Sequence, residues 1–125
     1  MSTDNDTLAR RFLAAFDTKN ADELAAYLHP DVVFLNYGDD EVHGREAVVR
    51  LWKGVFTNFE QVRFEVVHQA VNGEVVIAEQ IHGLALPGRP LAPVRNMAVY
   101  EFQDGQIIAW RDYTNPDHAR KLLAG

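Results

Sequence analysis

Five polar side chains lie on apolar stretches of this sequence at spacings that chemistry can use: Asn36, Gln80, His82, Asn96 and Asp112. The ordinary pKa of His82 lies near neutrality, which suits proton transfer in either direction. Asp112 stands among Ile108 and Trp110, and an acid in an apolar setting resists ionising, so its pKa is expected to rise towards a useful range. Side chains two apart on a strand share a face. Gln80 and His82 therefore go with Val76, Ala78 and Leu84, Asn36 with Phe34, Asn96 with Val94 and Ala98, and Asp112 with Ile108 and Trp110. Asn36, Gln80 and Asn96 are types that orient a water or a carbonyl, or that satisfy buried backbone groups. The bland alternatives are a plain hydrogen-bonded histidine at position 82 and a structural salt bridge from Asp112 to Arg95 or Arg111.

Other chemistries are disfavoured. His29, His43, His68 and His118 show no HxH or HExxH spacing, so no metal site is expected. Cysteine is absent, which removes disulfides, thiolate nucleophiles and cysteine-type zinc sites together. There is no glycine-rich phosphate loop, and no cofactor is expected. A net charge of -6 with scattered basic residues opposes the counterion release on which nucleic-acid binding depends. The longest apolar runs are short, Val75 to Ala78 being typical, far below the roughly 20 residues that span a bilayer. The first residues lack a basic region followed by an apolar stretch, so a cytoplasmic location is the default expectation.

At 125 residues, 47% hydrophobic and 24% charged, the chain has the composition of one globular domain with one core. Leu8, Phe12, Leu13 and Phe16 recur at helical spacing and predict a helix over about 4–17. Asn20 followed by Glu23 has the form of a reciprocal cap opening a short second helix to about Tyr27. A strand is predicted at 32–36, a turn at 37–40, and a third helix from about Arg45 on the stripe Ala47, Val48, Leu51, Trp52 and Val55. The remainder reads as a meander: a strand from Val62 to an Asn72-Gly73 turn, strands at about 74–86, 91–103 and 106–113 with a tight turn at Asp104-Gly105, and a short terminal helix through Leu123. Clustered strands after helices make an α+β domain. A long antiparallel meander with one helical layer must curl around those helices, a cone-shaped curved sheet whose concave face is expected to form an apolar pocket.

That order of elements, with Leu28-His-Pro-Asp31 entering the first strand and Asp104-Gly-Gln-Ile-Ile-Ala-Trp-Arg-Asp-Tyr113 closing the sheet, resembles the nuclear-transport-factor-2-like superfamily over nearly the whole chain: a single SnoaL-like, ketosteroid-isomerase-like domain. The closing strand is most similar to limonene epoxide hydrolases; His82-Gly83 and the Pro87-Gly-Arg loop are similar to SnoaL-type polyketide cyclases. The resemblance implies that Asp112 faces inward. It also implies an epoxide-hydrolase pattern in which Asn36 and Asp112 match, while Phe34 stands for a tyrosine, Gln80 for an arginine and His82 for the acidic aspartate. Against the steroid isomerases, Asn36 replaces the enolising base, Phe12 an oxyanion-hole tyrosine, and the other oxyanion acid falls near Ala98. Against the cyclases, His82 matches the histidine and Asn96 replaces the aspartate.

The resulting expectation is a cofactor-independent acid/base enzyme of isomerase or cyclase type acting on a small hydrophobic carbonyl or epoxide compound. Asp112 is the principal acid/base and His82 its partner; Asn36, Gln80, Asn96, Phe34, Trp110 and Phe12 line the site. The alternatives are a hydrolase similar to limonene epoxide hydrolase with altered residues, and a non-catalytic domain that binds an apolar ligand. A homodimer through the outer face of the sheet is expected, because Val75, Ile77, Val99 and Ile107 would otherwise be exposed.

Overall fold

A computed structural model describes residues 4–36 and 40–124; most of the turn expected at 37–40 lies outside them. The first helix, α1 (Asn5–Ala15), starts where the Asp4 carboxylate accepts from the Thr7 N–H, and a 3-10 turn over Phe16–Thr18 ends it. Asn20 caps α2 (Ala21–Ala25) by accepting from the Asp22 N–H, which satisfies an amide that the helix leaves without an internal partner. The expected return contact from Glu23 is not made: its carboxylate takes the Thr18 hydroxyl instead. Next come β1 (Leu28–Leu35), the short β2 (Glu41–His43), and α3 (Arg45–Asn58), which buries Val48, Val49, Trp52 and Phe56. The meander follows as β3 (Gln61–Asn72), β4 (Val75–Ala85), β5 (Ala92–Gln103) and β6 (Gln106–Tyr113), and α4 (Pro116–Ala124) closes the described chain.

The six strands form one sheet in the order β2-β1-β6-β5-β4-β3. It is not antiparallel throughout, as the meander alone suggested: β1 lies parallel to β6, with Phe34 beside Trp110. β1 also starts earlier than predicted, at Leu28, so the second helix ends at Ala25 and His29-Pro30 sits inside a strand. The hairpin turns differ in how well they were placed. Asp104 and Gly105 take positive φ values of 52° and 77° where expected. At the other hairpin Asn72 pairs with Val75, so Gly73-Glu74 is the turn, one residue late. The side-chain-free conformation at Gly73 (φ 62°) is what selects that position.

The helices lie against one face of the sheet, and the core between them is dominated by aromatic rings. Phe12 and Phe16 of α1, Phe34 of β1, Trp52 and Phe56 of α3, Phe64 of β3, Tyr100 of β5 and Trp110 of β6 are all buried. Phe34 stacks on Trp110 at 3.8 Å, and Phe12 meets the same indole edge-on at 5.0 Å. The concave face is therefore filled with packed rings.

A bulge sets the facing direction of the last strand. Phe102 pairs with Ile107 but Glu101 pairs with Ala109, leaving Ile108 as the extra residue. Ile107 is consequently fully buried and Ile108 only half-buried. This reverses two expectations: Ile108 does not share the face of Trp110 and Asp112, and Ile107 does not belong to the outer apolar set. A bulged residue shifts side-chain parity by one.

Candidate active site

Beyond the bulge, Trp110 and Asp112 face inward, and alternation on β4 and β5 brings Gln80, His82, Asn96 and Tyr100 to the same layer. Gln80, His82, Asn96 and Asp112 are the buried polar side chains of the core, with Asp112 1% exposed. Gln80 lies directly across from Asn96, and Asp112 across from Ala98. The small Ala98 leaves the carboxyl to lean diagonally towards Asn96 and along its own strand towards Trp110.

The hydrogen bonds form one chain. The Trp110 indole Nε1 donates to Asp112 Oδ1 at 3.0 Å, and Asn96 Nδ2 donates to the same oxygen at 3.1 Å. Asn96 Nδ2 also donates to Gln80 Oε1 at 3.3 Å, which lies 2.8 Å from His82 Nε2. Gln80 Nε2 in turn donates to the Tyr100 hydroxyl at 2.9 Å. Because Gln80 Oε1 only accepts, the neutral His82 ring carries its proton on Nε2. The 3.4 Å approach of Asn96 Nδ2 to His82 Nε2 then brings two donors together and is a contact without a hydrogen bond. Within this chain two buried acceptors have no partner among the described residues: Asn96 Oδ1 and Asp112 Oδ2.

Charge is expensive in this layer. Burial pushes Asp112 up to about 7; the hydrogen bonds from Asn96 and Trp110 pull the other way and offset only part of that cost. Burial pushes His82 down to about 3, and its ring lies flat against Phe64 at 4.0 Å. The expectation that His82 would titrate near neutrality is therefore overturned: it stays neutral across the physiological range. Tyr100 is held well above its usual range by burial and by the nearby Asp112 carboxylate. Neither anticipated salt bridge to Asp112 forms, since Arg111 pairs with Glu101 at 2.6 Å, and Arg95 is exposed.

The residues singled out in the sequence are thus gathered unequally. Gln80, His82, Asn96 and Asp112 form the polar chain. Phe12, Phe34 and Trp110 are in the aromatic core around it. Asn36 follows the end of β1, half-buried, and has no hydrogen bond to the polar chain. Two participants have polar roles that the sequence reading does not assign. Tyr100, by type a packing residue or a pocket wall, has the same parity on β5 as Asn96 and Ala98, which is the available signal for its place in the chain, and Trp52 reads from the sequence only as part of a helical stripe. His82 and Asp112 are joined through Gln80 and Asn96. A cleft of about 410 Å³ reaches Asn96 from outside, bordered by Arg95, Met97, Tyr113 and His118.

A helix-backed curved sheet carrying a buried polar layer on β4, β5 and β6 defines a nuclear-transport-factor-2-like domain, and similar solved structures agree. A ketosteroid isomerase-like protein from Catenulispora acidiphila, determined in complex with trimethylamine, superposes with a TM-score of 0.83 at 17% identity, over 98% of this chain and 95% of that one. A protein of SnoaL-like polyketide cyclase type from Shewanella putrefaciens gives 0.84 at 12% identity, over 99% and 98%. An epoxide hydrolase of limonene-epoxide-hydrolase-like type from M. tuberculosis gives 0.80 at 25% identity, over 94% and 90%. Residues 9–110 match the SnoaL-like domain family, and the chain belongs to that family. No helix among the described residues is long and apolar enough to cross a membrane.

Proposed function

We propose that this SnoaL-like domain is a cofactor-independent acid/base enzyme acting on a small hydrophobic carbonyl or epoxide compound, with Asp112 as the group that moves the proton. One observation carries the reading: a fully buried carboxyl with a pKa of about 7 has one oxygen bonded by two donors and the other unpartnered. With Oδ1 already accepting twice, the titrating proton resides on Oδ2, so Oδ2 is the reactive atom. Near pH 7 both forms are populated. The ionised form takes a proton from carbon beside a carbonyl, and the neutral form protonates a developing alkoxide.

His82 acts through its neighbours as a positioning residue. Its Nε2–H fixes Gln80, which fixes the Asn96 amide so that Nδ2 points at Asp112. Isomerisation or aldol-type cyclisation fits a single carboxyl that first removes and then returns a proton. The epoxide-hydrolase-like alternative retains Asp112 but places Phe34, Gln80 and His82 where other polar groups would be needed. A second reading, a non-catalytic domain that holds an apolar ligand, draws support from the residues of the three related mechanisms that are replaced here, Phe12, Phe34, Asn36, Gln80 and Asn96 among them. In either case the outer face, with Ile77, Met97 and Tyr113 exposed and Val75 and Val99 half-buried, suits a second copy of the chain.

The test is turnover of a panel of small enolisable ketones and epoxides by the wild type and by Asp112→Asn. Loss of turnover in the folded variant is the expected result. Equal rates overturn the acid/base reading, and an apolar molecule retained unaltered by the purified protein, with no turnover, favours the binding domain.

A further inference from the structure

Trp52 is 4% exposed, yet its indole Nε1 has no hydrogen-bond partner among the described residues. A donor buried in that way costs on the order of 1–3 kcal/mol, and such groups call for an explanation. The position of this one supplies it. The Trp52 ring lies nearly parallel to that of Trp110, at 13° and 5.7 Å, and tilted against Phe34 at 6.1 Å. Trp110 is the indole that binds Asp112, so the unpartnered donor is one ring stack and one hydrogen bond away from the titrating carboxyl. Of the nitrogen donors in the polar chain, Trp110 Nε1, Asn96 Nδ2, Gln80 Nε2 and His82 Nε2 are all engaged. What remains is the Tyr100 hydroxyl proton on β5, whose oxygen accepts from Gln80, and two unpartnered acceptors, Asn96 Oδ1 and, while ionised, Asp112 Oδ2; on the α3 side the buried donor open to a substrate oxygen is Trp52 Nε1.

We propose that the Trp52 Nε1–H is the donor that holds the substrate's oxygen, a carbonyl or ether oxygen, on the α3 side of the site. This deepens, and rests on, the reading of Asp112 as the proton-transferring group on β6. With the oxygen fixed from the helix and the proton moved from the sheet, the two ends of an enolisable ketone or an epoxide are polarised in opposite senses. The ligand class this selects is a compact apolar molecule with an exposed oxygen acceptor; a hydrocarbon of the same size satisfies nothing at Trp52.

The experiment uses the 15N-labelled chain, whose two tryptophans give two indole N–H resonances, assigned with Trp52→Phe, or with Trp110→Phe if the former does not fold. Cyclohexanone and methylcyclohexane are the probes. The expected result is a saturable downfield shift of the Trp52 indole proton with cyclohexanone, larger than that of Trp110 and absent with methylcyclohexane. Trp52→Phe, which keeps a ring and removes the donor, weakens cyclohexanone binding by about 2- to 10-fold and leaves methylcyclohexane binding unchanged. An indole proton that does not move, or that moves equally with both probes, overturns the assignment. Asp112→Asn leaves the indole donor in place, so loss of the proton-transfer reading shows as unchanged turnover in that variant, and loss of this one shows at the Trp52 resonance.

Discussion

Replacing Asp112 by Asn exchanges one atom of consequence. The new side chain keeps its carbonyl oxygen for Trp110 and Asn96 and puts an amide nitrogen at the unpartnered Oδ2 position, so both existing hydrogen bonds survive. What disappears is titration. In the folded protein Asp112 has a pKa of about 7 against 3.8 for the free side chain, so the native state binds the extra proton between those values. Asp112 therefore favours the fold fully below about pH 4, and that contribution is lost as pH rises towards 7, at about 1.4 kcal/mol per pH unit. His82 runs the other way: with a folded pKa of about 3 against 6.5, it favours the fold above 6.5 and loses that contribution as pH falls. From about pH 4 to 6.5 the two slopes oppose each other, and their joint effect in the wild type is nearly flat. In Asp112→Asn only the His82 slope remains, so the variant gains roughly 3 kcal/mol relative to the wild type across that window. Urea unfolding at half-unit pH steps reads this as a widening gap between midpoints, on the order of 1–3 M by pH 6.5. Other groups titrate alike in both proteins and drop out of the difference. Parallel pH profiles refute the placement of an unpaired, titrating carboxyl in the core.

Trp110→Phe keeps an aromatic ring beside Phe34 while removing the N–H that lowers the Asp112 pKa; the carboxyl titration followed by 13C NMR moves above about 7, and a fall contradicts the arrangement. Gly83→Ala destabilises by about 1–3 kcal/mol, read from the urea midpoint, because its Cβ would sit 2.6 Å from the Arg63 carbonyl oxygen and 3.0 Å from Leu91. Ile77→Lys places a charge at the centre of the outer apolar face, and sedimentation then reports the single 14.1 kDa chain in place of a dimer; a wild type already monomeric removes the dimer proposal.

The sequence made much of this arrangement legible, for identifiable reasons. Helical stripes located α1 and α3, and two-residue alternation put Gln80, His82 and Asn96 on one buried face without knowledge of their partners. What it did not reveal depends on contacts between distant segments. The parallel pairing of β1 with β6 leaves no local signal. The bulge at Ile108 serves the packing of Ile107, and so changes parity for a reason that lies across the sheet. The neutrality of His82 comes from burial against Phe64, a residue on another strand, and the unpartnered donor of Trp52 shows only once the ring is packed in the core. Residue type suggested which groups do chemistry; their protonation came from packing.

The pairing of β1 with β6 also sets an order of events at the ribosome. Strand β1 is synthesised before β3, β4 and β5, yet the neighbour that completes its inner edge comes after all three. At about 5–20 residues per second the interval is roughly 4–16 s, during which Phe12, Phe16 and Phe34 are made without Trp110 to cover them. The nascent chain therefore exposes these rings throughout the synthesis of β3, β4 and β5. Expression yield should respond to holdase chaperones and to translation speed through β3–β5 more than to the final stability of the fold.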